Sequence, residues 1–229
     1  MEQRRVVRVL AAIAAQPSNR SLTDRMCAAA QQQLATSGVG VSLTVDDDLL
    51  EPVAGTEGAR GGETLQAELG EGPSYTSSRS GWPVLVPDLQ QDGSWPAFSA
   101  AATALGLSSV YAFPLRRGAV RIGAFTLYRD VQAYLTDEQH ANALVYARLT
   151  HDLMMSLQSG RPVGQLDQLI LDGTADGIEV HQAAGVVSVQ LSVDVGAALA
   201  VLRARAFSTG QSLRDLAGDV VARRVRLDD

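Results

Sequence analysis

The sequence predicts an α+β fold, a mostly antiparallel sheet with flanking helices, followed by a C-terminal module of three helices. Apolar residues recur at helical spacing near both ends of residues 1–158, and between them lie short strand-like runs punctuated by Gly, Pro and Asp. Four of those runs come as adjacent pairs, 39–45 with 49–54 and 108–115 with 120–128. Short turns join each pair, so they close as hairpins and not as crossovers. Beyond Ser159-Gly-Arg-Pro162 every periodic segment is helical.

Residues 4–15 carry Val6, Leu10, Ile13 and Ala14 at helical spacing and stop before Gln16-Pro17, where the coming proline disfavours helix. Ser21-Leu-Thr-Asp24 has the spacing of a capping box and opens a second helix that ends at Ser37-Gly38. In the first hairpin Asp46-Asp-Asp48 lacks the alternating ligands and terminal Glu of a calcium loop, and reads as a solvated turn. Residues 64–69 form a short helix closed by Gly70-Glu-Gly-Pro73. Trp82-Pro-Val-Leu-Val-Pro87-Asp88 is a short strand bounded by prolines, and Trp95-Pro96 starts a helix that Gly106 breaks. The second hairpin turns at Arg116-Arg-Gly118, and Thr136-Asp-Glu138 caps a long amphipathic helix to residue 157. The helices at the two ends of this αββαβαββα order are expected together on one face of the sheet. The expected division is a first domain at 1–158, a linker at 159–166 and the helical module at 167–229.

Apolar residues make up 46% of the 229 and aromatics only 5%, so the core must be built mainly from Ala, Val and Leu. The lone Cys27 has no disulfide partner and no metal spacing, and reads as a small buried residue in a helix. His140, His151 and His181 are scattered; the first two share a helical face but stand about three turns apart. Gly70-Glu-Gly and Arg117-Gly lack the spacing of phosphate loops. No catalytic set, metal site or cofactor is therefore expected, and the chain is read as a non-enzyme. No window of about 18 apolar residues occurs, so no membrane association and a cytoplasmic location are expected. All 19 basic residues are Arg, so arginine at any one position carries no special recognition signal. The net charge of -6 hides a local excess: residues 203–226 hold six arginines against Asp215 and Asp219.

Leu69-Gly-Glu-Gly-Pro73, Val86-Pro-Asp-Leu89, Trp95-Pro-Ala-Phe98, Ser109-Val-Tyr-Ala-Phe-Pro-Leu115 and Ile122-Gly-Ala-Phe-Thr-Leu-Tyr128 together resemble a GAF domain over roughly residues 20–157. The resemblance implies an antiparallel sheet of five or six strands, a pocket on one face often used for small ligands, and helices that commonly mediate dimerisation. Relatives often carry Cys directly after the Gly-Glu-Gly-Pro motif, where this chain has Ser74. Some reduce methionine sulfoxide with cysteines on pocket loops, whereas Cys27 falls in a predicted helix. Tyr75, Trp82, Trp95, Phe98, Tyr111 and Phe113 are the candidate pocket walls, each equally explicable as core.

In the C-terminal module, Ile178, Gln182, Gly185, Val186 and Val189 recur on one helical stripe. Glycine inside a helix costs roughly 1 kcal/mol against Ala, so Gly185 implies close approach by another helix or a ligand. Ser192 offers an N-cap, with Asp194 in the first turn, to a helix whose face is Val195, Ala198, Leu199, Leu202 and Ala206. Ser212-Leu-Arg-Asp215 opens a third helix with Leu213, Leu216, Ala217, Val220 and Val221 on one side.

Gln182-Ala-Ala-Gly185, residues 198–207 and Ser212-Leu-Arg-Asp-Leu-Ala217 resemble the ANTAR domain, a three-helix RNA-binding module of bacterial transcription antiterminators, over about a fifth of the chain. Family members commonly have Lys where Ala184 stands and a basic residue where Gln211 stands. The resemblance implies RNA stem-loops as partner, a homodimer presenting two sites, and stabilisation of paired stem-loops in nascent RNA. The RNA-contacting residues would be Ala183, Gly185, Arg203, Arg205, Phe207, Arg214 and Arg224, with arginine anchoring phosphates and Phe207 either stacking on a base or plugging the helical core. A small-molecule ligand of the GAF-like domain would be the input.

Overall fold

Two capped helices frame the sheet. The computed structural model describes residues 2–45, 49–158, 175–193, 195–211 and 213–227. Helix α1 spans Glu2–Ala14 and α2 spans Leu22–Leu34. As the spacing predicts, the Ser21 side chain accepts from the Asp24 amide and satisfies one of the orphan donors of the first turn. At its other end Ala35 takes the left-handed conformation (φ 51°), and the Thr36 amide reaches back to the Gln31 carbonyl at 3.1 Å. That closes a Schellman turn two residues before the Ser37-Gly38 expected to stop the helix.

Strands β1 (Gly38–Thr44) and β2 (Leu50–Gly55) pair antiparallel; the turn expected at Asp46-Asp-Asp48 lies outside the described residues. Helix α3 (Arg60–Leu69) begins four residues earlier than its apolar pattern suggests, led in by a short 3-10 turn at Glu57–Ala59. Pro73, read from sequence as part of a closing turn, instead occupies the first turn of a further helix, α4 (Pro73–Ser80). Its missing amide costs nothing there, because the first-turn amides have no partner inside the helix. Strand β3 (Val84–Val86), α5 (Pro96–Ala104), β4 (Ser109–Arg117), β5 (Val120–Arg129) and α6 (Asp137–Gln158) come next. Helix α6 opens on a reciprocal capping box: the Thr136 hydroxyl accepts from the Gln139 amide, and the Gln139 side chain accepts from the Thr136 amide.

The sheet is five-stranded, in the order β2-β1-β5-β4-β3, and every pairing is antiparallel. Register assigns the faces. Phe113 stands opposite Phe125 and Tyr111 opposite Leu127, so these four share a face. On that face α6 lies: Phe113 meets His140 edge-on at 5.5 Å, and Phe125 stacks on Tyr146 at 6.1 Å between centroids. Helix α2 packs beside α6, as expected, tied by Tyr146 Oη to Gln33 (3.0 Å) and by Thr150 Oγ1 to Met26 sulfur (2.8 Å). Cys27 is fully buried in α2, as its composition suggested. Helices α3, α4 and α5 cover the opposite face, where Phe98, Leu89, Val86, Val110 and Tyr128 form an apolar cluster.

Residues 175–227 form three helices, α7 (Ala175–Leu191), α8 (Val195–Thr209) and α9 (Leu213–Val221), packed on one another. Their core is Val180, Ala183, Ala184, Val187, Ala198, Leu202, Ala206, Leu216, Ala217 and Val220. The faces predicted for α8 and α9 hold at Ala198, Leu202, Ala206, Leu216, Ala217 and Val220, but the stripe predicted for α7 is the wrong one. Val180, Ala183, Ala184 and Val187 are buried there, whereas Val189 is 81% exposed. Alternation between small and β-branched residues gives two competing stripes in this run, and the partners' positions choose between them. Nor is Gly185 a close-approach site, since a β-carbon on it would meet nothing within 4 Å among the described residues.

Ser192 is no N-cap. It adopts φ 54° after α7, and the Val193 amide bonds back to the Ser188 carbonyl at 3.1 Å, another Schellman closure. Gly210, at φ 66°, closes α8 the same way through Gln211 and Ala206.

Compactness divides the chain into two units, Ala15–Val163 and Met1–Ala14 with Gly164–Asp229. Helix α1, expected with the first domain, falls in the second unit; the expected linker at 159–166 lies outside the described residues. Replacing Gly185 with Ala should stabilise the three-helix unit by up to about 1 kcal/mol through helix propensity alone. Urea unfolding followed by far-UV circular dichroism checks this, and an unchanged or lowered midpoint would reveal a partner lying on that backbone.

Candidate functional site

The α3/α4 side of the sheet contains a buried polar network whose centre is a carboxyl group. Strand alternation sends Ser42 of β1 and Thr126 and Tyr128 of β5 to this face, because Gly40 pairs with Thr126 and Ser42 with Ala124. Helix α3 brings Glu63 and Gln66, one turn apart, over them, and the start of α4 brings Ser74. Glu63 is 4% exposed and Gln66 2%.

Every member has a partner. Ser42 Oγ donates to Glu63 Oε2, and Tyr128 Oη donates to Glu63 Oε1 at 2.7 Å. Gln66 Nε2 donates to Tyr128 Oη at 2.7 Å and to Ser74 Oγ at 2.8 Å, while its Oε1 accepts from the Ser74 amide at 2.8 Å. Ser74 Oγ and Thr126 Oγ1 share a hydrogen bond of 2.7 Å. Such satisfaction is what a buried polar cluster requires, since an unpaired member would cost about 1–3 kcal/mol.

Three glycines make the room. A β-carbon at Gly40 would lie 2.4 Å from the Glu63 carboxyl, one at Gly62 would lie 2.3 Å from the Tyr128 ring, and one at Gly72 (φ 134°) would lie 2.5 Å from Gln66 Oε1. The space under α3 is thus allotted to these polar side chains at the level of the backbone.

Burial pushes the Glu63 carboxyl above the ordinary carboxylate range, against the lowering effect of its hydrogen bonds from Ser42, Tyr128 and Thr126. Burial, then the neighbouring Glu63 charge, pushes the Tyr128 phenol well up. On the other face, burial lifts the Cys27 thiol to about 12, with Asp24 and Glu63 adding to it, so the thiol is not an activated nucleophile.

The six sequence-predicted pocket walls do not converge. Tyr111 and Phe113 are on the α6 face; Tyr111 donates to the Ala133 carbonyl and lies under the Arg129 guanidinium at 5.6 Å. Phe98 belongs to the α5 cluster on the other face. Tyr75 of α4 is buried and its hydroxyl accepts from the Leu50 amide at 3.1 Å. Trp95 packs against the Phe98 cluster with its indole donating to Thr76 Oγ1 at 3.2 Å, and Trp82 is 66% exposed. The residues that do converge were missed because Glu and Gln in a helix ordinarily read as solvated. Gly61-Gly62-Glu63, a glycine pair entering a helix beside an acid, was the available signal.

In the second unit Ala183 is fully buried and offers no surface to RNA. Gly185 is half-buried and Arg205 exposed. Arg224 is ion-paired to Asp219, Nε to Oδ1 at 2.8 Å, and with Gln211 it holds that carboxyl below its ordinary value. The side chains of Arg203, Phe207 and Arg214 lie outside the described residues. Among the described residues there is no cluster of His, Cys, Asp and Glu able to hold a metal ion, and no helix long and apolar enough to cross a membrane.

An antiparallel five-stranded sheet with two helices on one face and a buried polar network beneath the helices of the other defines an α+β domain. The chain belongs to the GAF domain family, whose model matches residues 17–146. The fold is similar to the GAF domain of a phosphoenolpyruvate-protein phosphotransferase from Coxiella burnetii, at 13% identity and TM-score 0.52 over 69% of this chain and 96% of that one. It is similar to the GAF domain of the Acinetobacter phosphoenolpyruvate-protein phosphotransferase, at 10% identity and TM-score 0.51 over 70% and 97%. A third likeness is to a free methionine-R-sulfoxide reductase from Neisseria meningitidis in complex with its substrate, at 14% identity and TM-score 0.50 over 69% and 91%. At these identities the likeness is one of fold. None of the curated proteins matches the sequence.

The raised Glu63 value has a definite sign. The folded protein holds the carboxyl proton more tightly than the unfolded chain, so this contribution to stability is fully present below the unfolded carboxyl value and is lost as pH rises through the folded one. Glu63→Gln, a neutral isostere, should therefore flatten this loss. Urea midpoints for both proteins across pH 4 to 8 test it, and parallel curves would count against a buried titrating Glu63.

Proposed function

We propose that this protein is a GAF-domain regulator that binds RNA through its C-terminal helices and acts in transcription antitermination. The observation that carries the reading is the three-helix core of small residues, Ala183, Ala184, Ala198, Ala206 and Ala217, at the positions that resemble an ANTAR module. Close-packed small residues bring the helices together and leave Arg205 of α8 on the outer surface. The mechanism is stoichiometric: holding paired stem-loops in nascent RNA prevents a terminator hairpin from forming.

A homodimer would present two such sites, and α6 offers it an apolar stripe through Leu144 (43% exposed) and Met155, eleven residues apart on one side of the helix. The input would reach the Glu63 network. A small molecule entering there has to replace hydrogen bonds that Ser42 and Tyr128 now give to the carboxyl, which favours ligands carrying amine or amide donors.

A second reading, in which the C-terminal helices only dimerise, draws on Val189, 81% exposed on α7, and on the pairing of Arg224 with Asp219. Binding of the full chain to a two-stem-loop RNA across a salt series separates the two. Loop-dependent binding that falls with salt at a slope of about -0.7 to -0.9 per neutralised phosphate, and that Arg203→Ala with Arg214→Ala weakens tenfold or more, is expected. Equal, weak binding to scrambled loops, with Val189→Asp shifting the oligomeric state, would favour the second reading.

A further inference from the structure

Strand alternation separates the arginines at the β4–β5 hairpin. Arg117 is directed to the α6 side, where its guanidinium meets Asp152 at 3.3 Å. Arg116 and Arg121, both exposed, are directly opposed cross-strand partners just past an irregularity at Leu115/Arg116. Like charges directly opposite each other in an antiparallel pair are destabilising. Among the described residues no carboxylate is ion-paired to either of them.

Both arginines lie against Gly81, which ends α4 in the left-handed conformation (φ 74°). Their Nη1 atoms are 3.4 and 3.6 Å from the point a β-carbon there would occupy. The two guanidiniums therefore share one small space, within reach of a single anionic group. Next in the chain, Trp82 is 66% exposed, and the Arg116 guanidinium lies 5.1 Å from its ring centroid. An exposed indole held beside two guanidiniums that are ion-paired to no carboxylate among the described residues combines a stacking surface with an anion site.

We propose that Arg116, Arg121 and Trp82 form a contact site for a single-stranded polynucleotide, one phosphate set between the two guanidiniums and an adjoining base stacked on the indole. An acidic peptide would satisfy the arginines but would make no use of the exposed ring, whereas every nucleobase presents a face to it. The site is in the GAF unit and uses none of the C-terminal arginines, so it goes beyond the reading above and stands or falls separately from it.

The test uses the full chain and a fluorescein-labelled oligouridine of about 10 nucleotides, within the size of a single-strand site. Anisotropy should report binding that weakens about tenfold or more in Arg121→Glu and in Arg116→Ala with Arg121→Ala, and that Arg60→Ala, at an exposed arginine elsewhere in the GAF unit, leaves unchanged. With Trp95→Phe, Trp82 becomes the sole indole, and its emission should be quenched by unlabelled oligonucleotide. Arg121→Glu should also raise the melting temperature, because it turns a repulsive cross-strand pair into an attractive one; stability and binding then move in opposite directions, which misfolding would not produce. Undiminished affinity in Arg121→Glu would overturn the proposal. So would equally tight binding of uridine monophosphate, which marks a mononucleotide site, or of an oligo-aspartate peptide, which marks an acidic-protein site. Failure of the stem-loop experiment, by contrast, is read at Arg203 and Arg214.

Discussion

Burial of the Glu63 carboxyl beneath α3 is the constraint to which the rest of the GAF unit is fitted. A carboxyl group out of water demands donors, and β1 and β5 supply them from Ser42 and Tyr128, the Tyr128 hydroxyl accepting in turn from Gln66. Those donors in turn fix where the backbone can run, so Gly40, Gly62 and Gly72 stand where any side chain would collide with the cluster. The two faces of one sheet are consequently different materials. The α2/α6 face is closed by aromatic and aliphatic packing around Phe113, Phe125 and Tyr146, while the α3/α4 face has hydrogen bonds at its centre. Hydrogen bonds can be exchanged for those of a ligand with little net change in energy, whereas lost close packing leaves a cavity that costs stability directly. On the proposed reading the polar face is the one that would respond to a ligand, and the apolar face the one that would hold the fold while it does.

The helix ends obey a different rule. Ala35, Ser192 and Arg223 adopt left-handed conformations without being glycine, each at about 1–2 kcal/mol for an L-residue. In each case an amide beyond the turn reaches back five residues, to Gln31, Ser188 and Asp219 respectively, and satisfies a carbonyl that would otherwise lack a partner. The backbone bond offsets the strain. At Arg223 the closure also positions Arg224 against Asp219, so the geometry that ends α9 neutralises one of the arginines of the C-terminal tract.

Local capping chemistry was legible in the sequence where its partners lie within one turn. Ser21 with Asp24, and Thr136 with Gln139, form the bonds that their spacing implies, and the helices they open pair on one sheet face as the element order suggests. The hairpins were legible because alternation and turn residues agree. What failed depended on partners distant in sequence. Pro73 is equally compatible with a turn and with the first turn of a helix, and the adjoining Ser-Tyr-Thr-Ser-Ser has no apolar stripe because α4 buries hydroxyls such as Ser74 and Ser77. Glu63 and Gln66 have the look of surface residues until the strands opposite them are known. In α7 two stripes fit the same string, and only the arrival of α8 and α9 selects Val180, Ala183, Ala184 and Val187. The aromatic residues proposed as pocket walls fall on both faces, since residue type alone does not report the direction of a strand side chain.

Charge shows why averages mislead in this chain. A net charge of -6 would seem to repel a polyanion, yet at physiological salt a surface charge is felt over about 8 Å, so a ligand meets the local cluster and not the total. Arg117 lies next in sequence to Arg116, and its exposed guanidinium is paired with Asp152, which removes it from any anion site at little gain in stability. Arg116 and Arg121 are given no such partner among the described residues, although a single acidic residue at either position would have turned repulsion into attraction. A cross-strand arrangement that is unfavourable in the isolated fold becomes favourable once an anion occupies it, because the same two charges then attract the ligand together. Within the fold the Arg116 guanidinium over the Trp82 ring offsets part of the cross-strand repulsion, and an anion set between the two arginines would offset the rest.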